Sequence, residues 1–235
     1  MSNSCTLIGA PIQTGASQPG CIMGPDALRT AGLADTIREL NWQVSDQGNL
    51  SIGPQAPLPH ANPAIHHLAE AKAWITTLSE AAFAAAGTYD LPIFMGGDHS
   101  LSQGSVSGIS RYAAKVNRPL FVLWLDAHSD FHDLNTTQSG NIHGTPVAYF
   151  TGQTGFEGLP AAAHPVDPKN ICMMGLRSVD GAEHDRVLAT GIDVHAMRAI
   201  DETGIMTPLQ SFLNRVKNAN GLLHVSFDID FLDPD

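Results

Sequence analysis

Positive charge is scarce in this chain: 12 Lys and Arg stand against 23 Asp and Glu, a formal net charge of −11 in 235 residues. A molecule of that sign repels phosphate backbones and anionic headgroups, so neither nucleic acid nor membrane is expected as a partner. The first basic residue is Arg29, so the N-terminus lacks the cationic stretch that opens a secretory signal. Uninterrupted apolar runs of about 18 residues, the length that spans a bilayer, are absent too. Cysteine is sparse: Cys5, Cys21 and Cys172 are odd in number, far apart and without a C-x-x-C pair. They read as small apolar side chains in a reducing compartment, and a cytoplasmic protein is expected. Charged residues make up only 15% of the chain and hydrophobic ones 43%, which excludes a disordered acidic chain.

What is present is enough apolar sequence for one domain with a sizeable core. Five short runs, Cys5–Ile8, Leu91–Met95, Leu120–Leu125, Ile171–Met174 and Leu222–Phe227, are apolar at successive positions. Such runs suit parallel strands covered on both faces. Amphipathic segments lie between them. Leu68, Ala71, Ile75, Leu78, Ala82 and Ala85 step by three and four and give one helix an apolar face. Thr207 before Pro208 predicts an N-cap and first turn, followed by core-facing Leu209, Phe212, Leu213 and Val216. Proline-rich residues 52–63 and Gly/Pro-rich residues 151–170 predict surface connections. Strand alternating with helix predicts an α/β fold, a three-layer sandwich with a mainly parallel central sheet and helices on both faces.

Three acidic and histidine clusters follow three of the apolar runs. They are Gly96-Gly97-Asp98-His99-Ser100, Asp126-Ala127-His128-Ser129-Asp130, and Asp228-Ile229-Asp230 with Phe231-Leu232-Asp233-Pro234 behind it. Taken alone, a Gly-Gly-Asp-His-Ser is an ordinary capped turn and an Asp-x-Asp an ordinary solvated loop. In a parallel sheet, however, the carboxyl ends of the strands line one edge, where ligands bind, and all three clusters sit at strand ends. Alternate residues of an extended segment share a face, so Asp126-x-His128-x-Asp130 and Asp228-x-Asp230 each aim their side chains one way. With His99 this collects two imidazoles and four carboxylates. Four like charges in one crevice repel unless cations neutralise them, and two divalent ions bring the matching charge. Oxygen-rich donors with imidazole and no thiolate suit Mn2+.

With Gly9-Ala10-Pro11 and the Gly-x-x-x-Gly-Pro-x-x-Leu-Arg pattern at Gly20–Arg29, these motifs resemble the ureohydrolases, the manganese enzymes that include arginases and agmatinases. The resemblance implies two Mn2+ ions. His99, Asp126, Asp130 and Asp228 would hold one, and His128, Asp126, Asp228 and Asp230 the other, with Asp126 and Asp228 bridging. It also implies hydrolysis of a guanidinium group to urea and an amine by metal-activated water. Asp130 would carry a proton to the leaving amine, and His143 in Ser139-Gly140-Asn141-Ile142-His143-Gly144 would shuttle protons.

The loop Thr136–Pro146 looks like the arginase version, in which Thr137 and Ser139 would receive a substrate α-carboxylate. Neutral hydroxyl donors bind an anion without adding charge beside the metals. Asp180, in Gly175-Leu176-Arg177-Ser178-Val179-Asp180, would take the α-ammonium group. His132 stands where well-known arginases carry a carboxylate-binding Asn; its imidazole can donate the same bond. L-arginine is therefore the first expected substrate. Agmatine, guanidinobutyrate or formiminoglutamate would be the substrate of other family members, and a catalytically silent metal-binding relative is the alternative from outside enzymology. The family commonly forms trimers or hexamers. Its members continue for several dozen residues past the third motif and carry there a Glu that grips the guanidinium. The expectation is thus a single domain over residues 1–235, truncated at its C-terminus, that binds Mn2+ weakly and turns over poorly by itself.

Overall fold

The computed structural model describes residues 3–16 and 18–232, the side chain of Ala182 excepted. Asp233 and Pro234, which close the third motif, lie outside these residues. The elements run β1 (Ser4–Ala10), α1 (Gly24–Thr30), α2 (Leu33–Glu39), β2 (Gln43–Asn49), α3 (Leu68–Ala86), β3 (Leu91–Gly96), α4 (Leu101–Lys115) and β4 (Leu120–Leu125). They continue through α5 (Pro146–Phe150), β5 (Ile171–Leu176), α6 (Gly181–Thr190), β6 (Asp193–Ala196), α7 (Met197–Thr203), α8 (Met206–Asn218) and β7 (Leu222–Phe227).

Every strand pairing is parallel. The strands form two sheets, β2-β1-β3 and β6-β5-β4-β7, where the sequence predicted one. Helices cover both faces, as strand pleating requires. On β4, Leu120, Val122 and Trp124 face the core built with α3, α4, α5 and α6. Phe121 and Leu123 face the opposite side, where α7 and α8 bring Ile200, Leu209, Phe212 and Val216. In the other sheet Cys5, Leu7 and Met95 pack with Ile37 of α2, while Ala10 packs with Trp74 and Leu78 of α3.

All five predicted strands are present. The sequence did not predict β2 and β6, whose polar, half-exposed residues lack a continuous apolar run. The helix expected to be capped by Thr207 and to open at Pro208 starts two residues earlier, at Met206, behind an Ile205 N-cap whose side chain makes no capping bond. A larger correction concerns β7. It was expected to be covered on both faces, yet Leu223, Val225 and Phe227 are 40%, 50% and 51% exposed. The edges of β3 and β7 instead line one apolar cleft of about 720 Å³, roofed in part by Ile109 and Tyr112 of α4.

Candidate metal centre

The strand ends of both sheets converge on one crevice. His99 lies in the turn between β3 and α4, and its Nδ1 stands 3.0 Å from Asp126 Oδ2, 3.3 Å from Asp130 Oδ2 and 3.0 Å from Asp228 Oδ2. Asp126 follows β4 and Asp228 follows β7, so residues more than 100 positions apart in the chain meet at one imidazole nitrogen. His128 Nδ1 is 3.1 Å from Asp230 Oδ2 and 3.4 Å from Asp126 Oδ1. Asp126 therefore stands between two imidazoles and is nearly inaccessible to water, at 1% exposure.

Backbone contacts fix this arrangement. Ala127 N donates to Asp230 Oδ1, His128 N to Asp126 Oδ1, Asp228 N to Leu125 O, and Asp230 N to Asp228 Oδ1. Asp130 adopts a left-handed φ of 47°, uncommon for a residue with a Cβ, and its carbonyl accepts from Val147 N. The His99 ring stacks on Trp124, centroids 4.2 Å apart and planes within 8°, and its Nε2 meets Ser226 Oγ at 2.8 Å. With that nitrogen engaged by a hydroxyl, Nδ1 is turned to the carboxylates, the outer-sphere arrangement that orients a ligating imidazole.

The titration of these groups follows from crowding. Burial alone would push His99 down, but the surrounding Asp126, Asp130 and Asp228 carry it well above its ordinary value. Asp126 raises His128 to about 9 against partial burial, with help from Asp230. Burial lifts Asp130 to about 7 although His99 draws it back. Asp126 and Asp228 lie below the carboxylate range, because the imidazoles outweigh the cost of burying them. Burial raises Asp230. Imidazolium protons thus balance the negative crevice, a task that cations can take over with release of those protons.

The donor set fits a pair of divalent cations. His99 Nδ1 and Asp126 Oδ2 are buried and have no hydrogen-bond partner although they lie 3.0 Å apart, so a cation that displaces the imidazolium proton would find a donor from each at one point. Single donor atoms of His99, Asp126 and Asp130 lie within 4.8 Å of one another, as do those of Asp126, His128 and Asp230. Asp126 is common to both groups.

A cavity of about 380 Å³ opens above this centre, and all eleven residues singled out in the sequence line it. His132 Nε2 is 3.4 Å from Asp180 Oδ2 and 3.6 Å from Glu183 Oε2. Thr137 is buried, and its hydroxyl lies 3.4 Å from that of Ser139. Asn62 braces the loop by donating to Leu134 O and Thr137 O. At Gly140, φ is 73° and a Cβ would lie 1.6 Å from Ala64 O, so only glycine lets the loop pass there. His143 donates its backbone N–H to Gly15 O, and burial lowers its imidazole.

Four lining residues went unpredicted: Asn141, Gly144, Ser178 and Glu183. Glu183 is the most informative. Its N–H donates to Asp180 Oδ1 at the start of α6, and its Oε1 accepts from Phe131 N at 2.7 Å, tying α6 to the Asp126–Asp130 segment. The Asp-x-x-Glu spacing of a helix N-terminus was the signal that could have found it. Asp98 was quoted without a role; its carboxylate accepts from Gly15 N and Ser100 N, anchoring the loop that supports His143.

The Arginase family model matches residues 3–235. A curated arginase of Agrobacterium fabrum is 54% identical over 231 residues, which cover 98% of this chain and 71% of that protein. One of Brucella abortus is 56% identical over 98% of this chain and 75% of its own length. Among solved structures, an arginase from Bacillus subtilis superposes with a TM-score of 0.86 at 29% identity, covering 99% of this chain and 76% of the other.

Proposed function

Because the chain belongs to the arginase family, we propose that its crevice seats two Mn2+ ions and hydrolyses the guanidinium group of L-arginine to ornithine and urea. The chain is an amidine hydrolase acting on a guanidino carbon–nitrogen bond. Support for the site assignment rests on the convergence of His99 Nδ1 with Asp126, Asp130 and Asp228 at 3.0–3.3 Å. His99, Asp126, Asp130 and Asp228 would hold one ion; His128, Asp126, Asp228 and Asp230 would hold the other. When bound, such ions polarise the substrate and lower the pKa of water from 15.7 to about 7, which supplies a nucleophile at neutral pH.

The remaining chemistry belongs to side chains. Thr137 and Ser139 donate hydroxyl hydrogens to the α-carboxylate, His132 adds an imidazole donor, and Asp180 receives the α-ammonium group. These contacts hold the far end of the substrate and so place its guanidinium carbon over the crevice. Asp130 takes a proton on the crevice floor and passes it to the departing amine. His143, kept neutral near pH 7 by its burial, accepts a proton at its ring and exchanges it with solvent. Residues 1–235 act as one domain, expected in the cytoplasm and as a trimer or hexamer. Among the described residues no helix is long and apolar enough to cross a membrane.

The decisive measurement is product release from Mn2+-loaded protein offered L-arginine, agmatine, guanidinobutyrate and formiminoglutamate in parallel. The highest kcat/KM, with urea as product, is expected for L-arginine. Preference for agmatine would overturn the α-carboxylate assignment, formamide release would move the chain to another substrate class, and silence on all four would leave a binding protein.

A further inference from the structure

A second donor cluster lies away from the crevice, at the outer edge of the four-stranded sheet. We propose that Cys172, Asp193 and His195 form a site for a thiophilic divalent cation of the Zn2+ class. One donor atom from each lies within 4.8 Å of the other two. The strands enforce this proximity: in the β5–β6 ladder Cys172 pairs with Asp193 and Met174 with His195. Donors on adjacent paired strands are held more rigidly than donors on loops.

The chemistry differs from that of the arginine crevice. There the donors are carboxylates and imidazoles, which suit Mn2+; here a sulfur replaces most of the oxygen, and sulfur with imidazole and carboxylate selects zinc-like ions. Cys172 is fully buried beneath Phe212 of α8, while the Asp193 and His195 side chains are 37% and 28% exposed. An ion would therefore arrive over the carboxylate and imidazole and meet the sulfur last. Burial, with the nearby Asp193 charge, pushes the Cys172 thiol up to about 12, although Arg215 pulls it back. The thiol keeps its proton at neutral pH, so binding must expel that proton to solvent as the sulfur–metal bond forms.

Arg215 is the built-in competitor. Its Nη1 lies 3.1 Å from Asp193 Oδ2, while His195 Nε2 lies 3.1 Å from Asp193 Oδ1. The guanidinium has a second anchor in the carbonyl of Lys169 and stacks 5.6 Å from the Phe212 ring centre. It can thus release the carboxylate without losing its place. A cation entering the cluster takes one Asp193 oxygen, the imidazole lone pair and the thiolate, and leaves a fourth position for water.

Cobalt(II) added to Mn2+-loaded protein tests the site, since a thiolate-to-cobalt charge-transfer band in the near ultraviolet cannot arise from the oxygen and nitrogen donors of the crevice. The band is expected in the parent protein, absent in Cys172→Ser and weakened in His195→Gln. Zn2+ should bleach it by competition. Arg215→Gln should tighten Zn2+ binding by roughly twofold to fivefold, the size of a partly exposed ion pair. A parent protein without the band, or a band that survives Cys172→Ser, would overturn the proposal. If Cys172→Ser does not fold, the opposed changes in His195→Gln and Arg215→Gln decide the matter: an unchanged affinity in both would overturn it.

Discussion

Asp126 shows at the scale of one residue why the crevice requires cations. Its two oxygens point to different imidazoles, and its environment admits almost no water. Replacing it with Asn keeps the volume but removes the charge and one of the two oxygen donors, so that it can no longer serve both proposed cation positions. Urea release in Asp126→Asn should fall by more than about 100-fold, beyond the 10- to 100-fold cost of losing an outer-sphere partner. Activity within tenfold of the parent would defeat the shared-ligand assignment. Ser139 is the opposite case, since its proposed contact is with the part of the substrate that does not react. Ser139→Ala should raise KM for arginine by roughly tenfold to a hundredfold, the size of a hydrogen bond to a charged group, with kcat nearly unchanged. The KM for agmatine, which lacks the carboxylate, should scarcely move; equal changes for both would remove Ser139 from that role. The proposed ligands were legible in the sequence because their clusters follow apolar strands, but the extended alternation expected of them does not hold. β4 ends at Leu125, Asp130 is left-handed and Asp230 sits in a 3-10 turn, so turns, not strand pleating, aim these side chains into the crevice. Ser226 and Trp124, which hold His99 from behind, were not legible, because no local spacing records partners on other strands, Ser226 being 127 positions away.

Among the elements, α3 against α4 is the closest helix pair, and its contact is set by the absence of side chains. A Cβ on Gly108 would sit 2.4 Å from Ser79 O and 2.6 Å from Ala82 Cβ, and one on Gly104 would sit 2.9 Å from Leu78 Cβ. Two effects oppose each other in Gly108→Ala. Helix propensity favours alanine by about 1 kcal/mol, while overpacking against another helix's backbone costs roughly 1–3 kcal/mol. Backbone cannot rotate away, so the second effect wins. Urea denaturation should show net destabilisation of about 1 kcal/mol; a more stable variant would mean that the helices separate freely. Of these two helices α3 was visible from its apolar spacing and α4 was not predicted, and the glycine contact depends on which face of α4 meets α3. The same division explains the strands. Continuous apolar runs marked five strands, the edge strands β3 and β7 among them, while the edge strands β2 and β6 carry polar, half-exposed residues and no such run. On β7, Leu223, Val225 and Phe227 form the apolar run from which cover on both faces was predicted, but a run of apolar letters does not say that both sides are covered.

At the scale of the whole molecule, His99 follows the last strand of the three-stranded sheet, whereas Asp126, Asp130, Asp228 and Asp230 follow strands of the four-stranded one. Among the described residues no ladder joins these sheets; a cleft separates β3 from β7, and the helices α3 and α4 run between the halves. The proposed centre would therefore also be a rivet. Ions held by His99 together with the carboxylates would join the two halves at one point, and whatever binds the folded state alone adds to its stability. Calorimetry should find a single sharp heat-absorption peak with Mn2+ and a broader one after chelation, as the ratio of calorimetric to van't Hoff enthalpy leaves unity. Equal sharpness in both states would assign the coupling to α3 and α4 alone. In a molecule so joined, losing its ions costs more than its chemistry: the halves begin to melt out of step.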